Sequence, residues 1–175
     1  MTMAGEAAVF LAVSLDGCIA TRDDGVDWLN NVRGEGDNGY GAFYSTVDTV
    51  VMGRRTYDWM MEETDGEYPY EGKPGYVISE DRRRPTEHVS FTKSPVNLIQ
   101  QLKRDGRRIW IVGGSLLIHS LLEAEEVDEL ILTMAPVILG DGIPLFYKSR
   151  VAQSFSLKST RRYGDFVELH YLKEA

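Results

Sequence analysis

The chain is poor in cysteine, histidine, positive charge and long apolar runs. Its one cysteine, Cys18, cannot close an internal disulfide, which sets aside the small cross-linked secreted folds. The opening MTMAGEAAVFLAVSLDG has neither a basic n-region nor a cleavable apolar stretch, so a cytoplasmic location is expected. No apolar run approaches the roughly 20 residues that span a bilayer. The longest, such as Ile109 to Val112, are strand-sized, and no membrane partner is expected. His88, His119 and His170 lie far apart with no ligand spacing among them, and no metal is expected. Lys and Arg number 19 against 27 Asp and Glu, a formal charge of -8, so a nucleic acid would meet net repulsion. A small anionic ligand is not excluded, because a few local Arg side chains and backbone N–H groups suffice to hold one.

What is present suits one globular domain over residues 1–175, 43% hydrophobic and 26% charged, with neither repeat nor linker. Apolar runs predict strands at 9–14, 49–52, 76–78, 88–91, 109–112 and 127–133, with a closing hairpin of 155–159 and 167–172. Helices are expected over 42–46, 56–63, 95–103 and 116–124, the third opened by Ser94 as N-cap and Pro95 at N1. Asp16-Gly17 and Gly140-Asp141-Gly142 read as breaks. The glycine-rich stretch 23–41 reads as a long loop with at most one helical turn, and such loops are often functional. The alternation predicts an α/β fold with three layers and a mainly parallel central sheet, closed by an antiparallel C-terminal edge strand.

Two segments carry binding chemistry. IWIVGGSLL, 109–117, delivers a buried strand through Gly113 and Gly114 into a helix starting near Ser115, Leu116 and Leu117. Glycine lets backbone approach a diphosphate, and the helix start offers unpaired N–H groups; a plain strand-to-helix turn has the same pattern. VVMGRRTYDWM, 50–60, ends a strand in Gly53 and follows it with Arg54, Arg55 and Thr56. The arginines can grip phosphate oxygens and Thr56 can begin the helix as an anion-contacting N-cap, although an Arg pair on a loop can equally be a solvated surface. Arg82-Arg83-Arg84 is too dense in charge for most of it to do more than face water. Ser115 lies outside any G-x-S-x-G elbow, so nucleophilic hydrolysis lacks its framework.

VSLDGCIA, VVMGRRTY, IWIVGGSLL and LTMAPVILGDGIPLF occur in one order, and together they resemble the dihydrofolate-reductase-like superfamily. The branch is that of the reductase domain of bifunctional riboflavin-biosynthesis deaminase-reductases, and the resemblance runs from about Ala8 to Leu172. It implies NADPH as cofactor, a small-molecule substrate and a homodimer. It assigns Ala12, Ile19 and Ala20 to the nicotinamide carboxamide. Gly53, Arg54, Arg55 and Thr56 fall to the diphosphate and adenosine phosphate, Ser79 and Arg82 to the adenosine side, and Gly113 to Leu117 to the diphosphate turn. Asp16 falls at an acidic position bordering the active site, where it is either catalytic or the carboxylate of an Asp-Gly turn. Thr133 falls either in the substrate pocket or on a strand-to-strand bond. Trp28, Tyr40, Phe43 and Tyr44 either line an aromatic pocket or pack the core.

Folate reductases of the superfamily place a carboxylate on the first helix, but here Gly39 or Tyr40 falls near that position. Poor dihydrofolate reduction is therefore expected unless Asp16, Asp27 or Asp37 substitutes. The leading expectation is reduction of the phosphoribosylamino-pyrimidine intermediate of riboflavin synthesis. Dihydrofolate or another pterin is the alternative substrate, and a non-catalytic NADP(H)-binding sensor is the alternative of another class.

Overall fold

Runs of β-branched and aliphatic residues that are too short for helices build the sheet. The computed structural model describes residues 3–174. Its strands are β1 (Glu6–Val13), β2 (Cys18–Thr21), β3 (Thr49–Gly53), β4 (Gly75–Ile78), β5 (Val89–Thr92), β6 (Arg108–Gly113), β7 (Glu129–Met134), β8 (Gly142–Pro144), β9 (Phe155–Tyr163) and β10 (Phe166–Lys173). Four α-helices, α1 (Tyr40–Tyr44), α2 (Arg54–Glu63), α3 (Pro95–Arg104) and α4 (Ser115–Glu123), alternate with the strands, and a 3-10 turn covers Asp27–Leu29.

The main sheet has eight strands in the order β5-β4-β3-β6-β1-β7-β10-β9. From β5 to β7 all neighbours are parallel, whereas β10 runs antiparallel to both β7 and β9. The parallel strands are buried on both faces, which is why β3 and β6 read as unbroken apolar runs. One face packs Val9, Ile111 and Leu130 against Ile99 of α3 and Ile118 of α4. The other packs Ala8, Val50 and Trp110 against Phe43 of α1 and Tyr57 of α2. The sheet thus lies between α1 and α2 on one side and α3 and α4 on the other.

Four local readings change. The strands β2 and β8 were not expected; they pair antiparallel as a separate ribbon, Cys18 opposite Pro144 and Thr21 opposite Gly142, and at four and three residues each is too short to show a period. Thr56 is not the N-cap of α2, which starts at Arg54 directly after Gly53. Ser94 holds the N-cap position of α3, yet its side chain makes no capping bond and only Pro95 acts as expected. Finally α4 begins at Ser115, one residue before the expected start.

Candidate active site

The carboxyl ends of β3 and β6 lie side by side, and each feeds a helix, α2 and α4, with no side-chain cap. Gly53 and Gly114 are the two N-cap residues, both in extended backbone. A Cβ on Gly53 would come 3.6 Å from the Gly114 amide nitrogen, and one on Gly114 would come 3.2 Å from Thr56 Oγ1. Gly113, at φ 142°, has a backbone that only glycine adopts readily, and it joins Gly114 through a cis peptide. Two uncapped helix starts therefore open onto one glycine floor with Thr56 at its edge. Uncapped helix starts present N–H groups and the positive ends of two helix dipoles, surroundings that suit an anion.

Acidic neighbours occupy the arginines around it. Arg54 pairs with Asp81 and, at 3.6 Å, with Asp58; Arg55 pairs with Asp24 at 2.6 Å. Arg82 is exposed with no ion pair among the described residues, while its neighbour Arg83 forms a two-pronged bond to Asp58 at 2.7 and 3.1 Å. That bond, ahead of the opposing cost of burial, draws the Asp58 carboxyl below its usual range. Ser79 directly follows β4, one strand further out, is buried, and its Oγ has no hydrogen-bond partner. An orphaned buried hydroxyl is rare enough to require a reason. Uncapped helices, a turn at Gly114 where a Cβ would crowd Thr56, and a free Ser79 hydroxyl all fit a dinucleotide phosphate.

The loop after β1 is fastened to the Gly140-Asp141-Gly142 segment. Asp16 accepts N–H bonds from Leu139 at 3.1 Å and Gly140 at 2.9 Å, and Ser14 Oγ donates to it at 2.5 Å. The Ser14 hydroxyl first, then the two amides, hold the Asp16 carboxyl down to about 2. These bonds make Asp16 a clasp between the loop after β1 and the Gly140-Asp141-Gly142 segment. Gly142 lies so close to β2 that a Cβ would stand 2.6 Å from the Ala20 carbonyl oxygen. The clasp fixes Ile19 and Ala20 beside the end of β1.

Ala12 of β1 lies opposite Thr133 of β7, and Thr133 lies opposite Glu168 of β10. Thr133 and Glu168 are both buried. Burial raises the Glu168 carboxyl above its usual range, against the opposing charges of Arg161 and His170. Glu168 was missed from the sequence, where the available signal was an acid in phase with Phe166 and His170 on the inward face of an alternating strand.

The aromatic candidates divide. Phe43 stacks on Phe10 at 4.3 Å and is buried, whereas Tyr40 stacks on Tyr44 at 5.5 Å and is about one-third exposed. Trp28, in the 3-10 turn, is half-buried with its indole N–H unpartnered. The other acids proposed to replace the helix carboxylate are also accounted for: Asp37 accepts the N–H groups of Gly39 and Gly41 at the head of α1, and Asp27 is exposed. A groove of about 430 Å³ runs beside α1 from Gly39, Tyr163 and Glu168 to Arg108 and Glu129, with Phe10 and Phe43 in its wall; Thr133 lies outside its lining. Ser115 shares a 3.0 Å hydrogen bond with Tyr147, and Leu116 is largely exposed while Leu117 is in the core.

This architecture is a dihydrofolate-reductase-like fold. The dihydrofolate reductase of Enterococcus faecalis, solved with NADP(H) and RAB-propyl, matches it with a TM-score of 0.67 at 19% identity, each chain covered in full. The sequence fits the RibD C-terminal domain over residues 7–169, and the chain belongs to that family. It is 42% identical to the uncharacterized protein YwjB of Bacillus subtilis (strain 168), covering 98% of this chain and 99% of that one. A Shewanella sp. PV-4 structure bearing a riboflavin-biosynthesis name matches with a TM-score of 0.86 at 31% identity, covering 99% of this chain and all of the other. The riboflavin biosynthesis protein RibD of Haemophilus influenzae is 29% identical over 92% of this chain, which spans 56% of that protein's length. Among the described residues, no helix is long and apolar enough to cross a membrane.

Proposed function

We propose that this protein is an NADPH-dependent reductase of a small heterocyclic substrate, akin to the 5-amino-6-(5-phosphoribosylamino)uracil reductases of riboflavin biosynthesis. The observation that carries the reading is the meeting of Gly53, Thr56, Gly113 and Gly114 between two uncapped helix starts. Family membership and the NADP(H)-bound dihydrofolate reductase of the same fold support it.

In this reading the glycine floor and the N–H groups of α2 and α4 hold the diphosphate. Arg54 and Arg55 exchange their carboxylate partners for the adenosine phosphate, and Ser79 Oγ gains the bond it lacks. Backbone groups of Ala12, Ile19 and Ala20 orient the nicotinamide carboxamide. Bound NADPH would supply the hydride, and the chain's share is positioning and water exclusion. Asp16 contributes by clasping the loop that carries Ile19 and Ala20, while Thr133 lines the substrate side.

The test is to mix the protein with NADPH and the phosphoribosylamino-uracil substrate, then with dihydrofolate and simple carbonyls, and follow nicotinamide absorbance. Turnover of the uracil compound is expected. Tight NADPH binding without turnover of any of them would instead favour a sensor.

A further inference from the structure

Glu168 is a buried acid that the fold does not require. It faces the α1 side of the sheet in phase with Phe166 and His170, and registers place Ala12, Thr133, Glu168 and Arg161 in one row across β1, β7, β10 and β9. Thr133 is thus one strand from the proposed nicotinamide position and Glu168 two, roughly 10 Å away at the usual strand spacing. The residue is 8% exposed. Among the described residues no N–H or O–H group donates to its carboxylate, and Arg161, on the neighbouring strand, is exposed and makes no ion pair with it. A buried carboxylate is normally paired or hydrogen-bonded.

The geometry around Gly39 explains why the acid comes from β10. Gly39 is the N-cap of α1 at φ 83°, and a Cβ there would stand 2.6 Å from Tyr163 Oη and 3.4 Å from Glu168 Oε2. No side chain can enter this space from the head of α1, because Tyr163 and Glu168 already fill it. Glu168 is also in the wall of a groove that runs beside α1 from Gly39 and Tyr163 down to Arg108 and Glu129, and it stands at the Gly39 end, in one row with Thr133 and Ala12, withdrawn from bulk water yet open to a ligand.

We propose that Glu168 is the substrate-recognition carboxylate of this protein, accepting two parallel N–H bonds from a planar heterocycle with adjacent donors, such as an aminopyrimidine or pterin edge. A flat donor edge matches the two oxygens of a carboxylate, and the bond is strengthened by charge. Phe10 stands in the same groove wall, and Thr133 lies directly opposite Glu168 on β7. The inference rests on the reductase reading for the identity of the pocket, but its recognition chemistry can be tested without turnover.

The experiment is calorimetric titration of 2,4-diaminopyrimidine into the wild-type protein, Glu168→Gln and Glu168→Asp, with NADPH titrated into the same samples. We expect wild type to bind the diaminopyrimidine about ten- to a hundredfold more tightly than Glu168→Gln, the value of one charge-assisted contact, with Glu168→Asp between them and NADPH affinity equal in all three. Uracil, which lacks the amidine edge, should bind with no dependence on residue 168. Should Glu168→Gln fail to fold, the Glu168→Asp comparison decides, with a loss of several-fold expected. Equal diaminopyrimidine affinity across the folded variants, or none in wild type, would overturn the proposal. Diaminopyrimidine binding that depends on Glu168 in a protein that ignores NADPH would uphold it and overturn the reductase reading instead.

Discussion

Gly53 faces Gly114 across the ends of β3 and β6 in van der Waals reach, a Cβ on the first standing 3.6 Å from the amide nitrogen of the second. Two segments about sixty residues apart in sequence therefore make one surface, and most of the functional account follows from that contact.

Cofactor choice should depend on the two arginines beside this surface. Arg54 and Arg55 already hold carboxylates, so a 2′-phosphate would replace partners of like charge. We expect NADPH to bind about ten- to a hundredfold more tightly than NADH, the yield of about 1.5–3 kcal/mol from a charge-assisted bond. Titrations of both cofactors into Arg54→Ala plus Arg55→Ala should show the preference largely abolished. An unchanged ratio would remove these residues from the phosphate site.

Ser79→Ala separates ligand binding from folding. Its hydroxyl is buried without a partner, so its removal sacrifices no hydrogen bond in the free protein. Thermal unfolding should show stability unchanged or raised by up to about 1 kcal/mol. NADPH affinity should fall roughly two- to tenfold. A marked loss of stability with cofactor affinity intact would show that the hydroxyl is structural.

At the opposite end of the sheet, Arg108 holds Glu129 by two bonds of 2.7 and 3.1 Å, and His170 Nε2 lies 2.9 Å from the same carboxylate. Although burial opposes ionisation, Arg108, His170 and Glu6 hold Glu129 down to about 2. A folded-state value below the unfolded one means stability that is present above about pH 4.5 and lost as pH falls toward 2. The hydrogen bond to Glu129 shifts Glu6 upward, which offsets part of this slope. Glu129→Gln should cost about 2 kcal/mol at neutral pH, because it removes the two-pronged partner of Arg108 and leaves it only the more distant Glu6, at 3.5 Å, and should flatten acid unfolding monitored by circular dichroism. A slope equal to wild type would contradict the assignment.

The head of α1 should tolerate nothing but glycine. Gly39→Ala combines a left-handed φ of 83° with a Cβ 2.6 Å from Tyr163 Oη, and we expect a loss of about 1–3 kcal/mol by denaturant unfolding. Adding Tyr163→Phe removes the colliding oxygen and should restore part of it. No recovery would locate the whole cost in the backbone.

Much of this was legible in the sequence where a strong local pattern coincided with the global fold. The strands at Thr49 and Ile109 are apolar on both faces, and each ends in glycine followed by a helix, so Gly53 and Gly113-Gly114 stand out in the sequence itself. Capping rules misled at Thr56, because the chain passes from β3 into α2 through a glycine and no side chain caps it. The ribbon of β2 and β8 was invisible because its pairing joins residues more than 120 apart through segments of four and three residues. Asp16 was read as either catalytic or turn-forming, and only the fold reveals that Leu139 and Gly140 take up its oxygens. Glu168 acquires meaning only through register: in sequence it is one acid in a strand, and opposite Thr133 beneath Gly39 it is a buried carboxylate beside a groove.

The most direct test of the account is a calorimetric titration of NADPH into wild type and Gly114→Val, with folding checked by thermal unfolding. Gly114 has φ −82°, a region that valine also adopts, and thermal unfolding of the same samples separates a blocked site from a lost fold. The new side chain would press on Thr56 Oγ1, 3.2 Å from the Cβ position, and cover the amides at the helix starts. Tight NADPH binding by wild type, with at least a tenfold loss, about 1.4 kcal/mol, in a folded Gly114→Val, is the expected result. Equal affinity of the two folded proteins for NADPH, or no binding by wild type, would contradict the account.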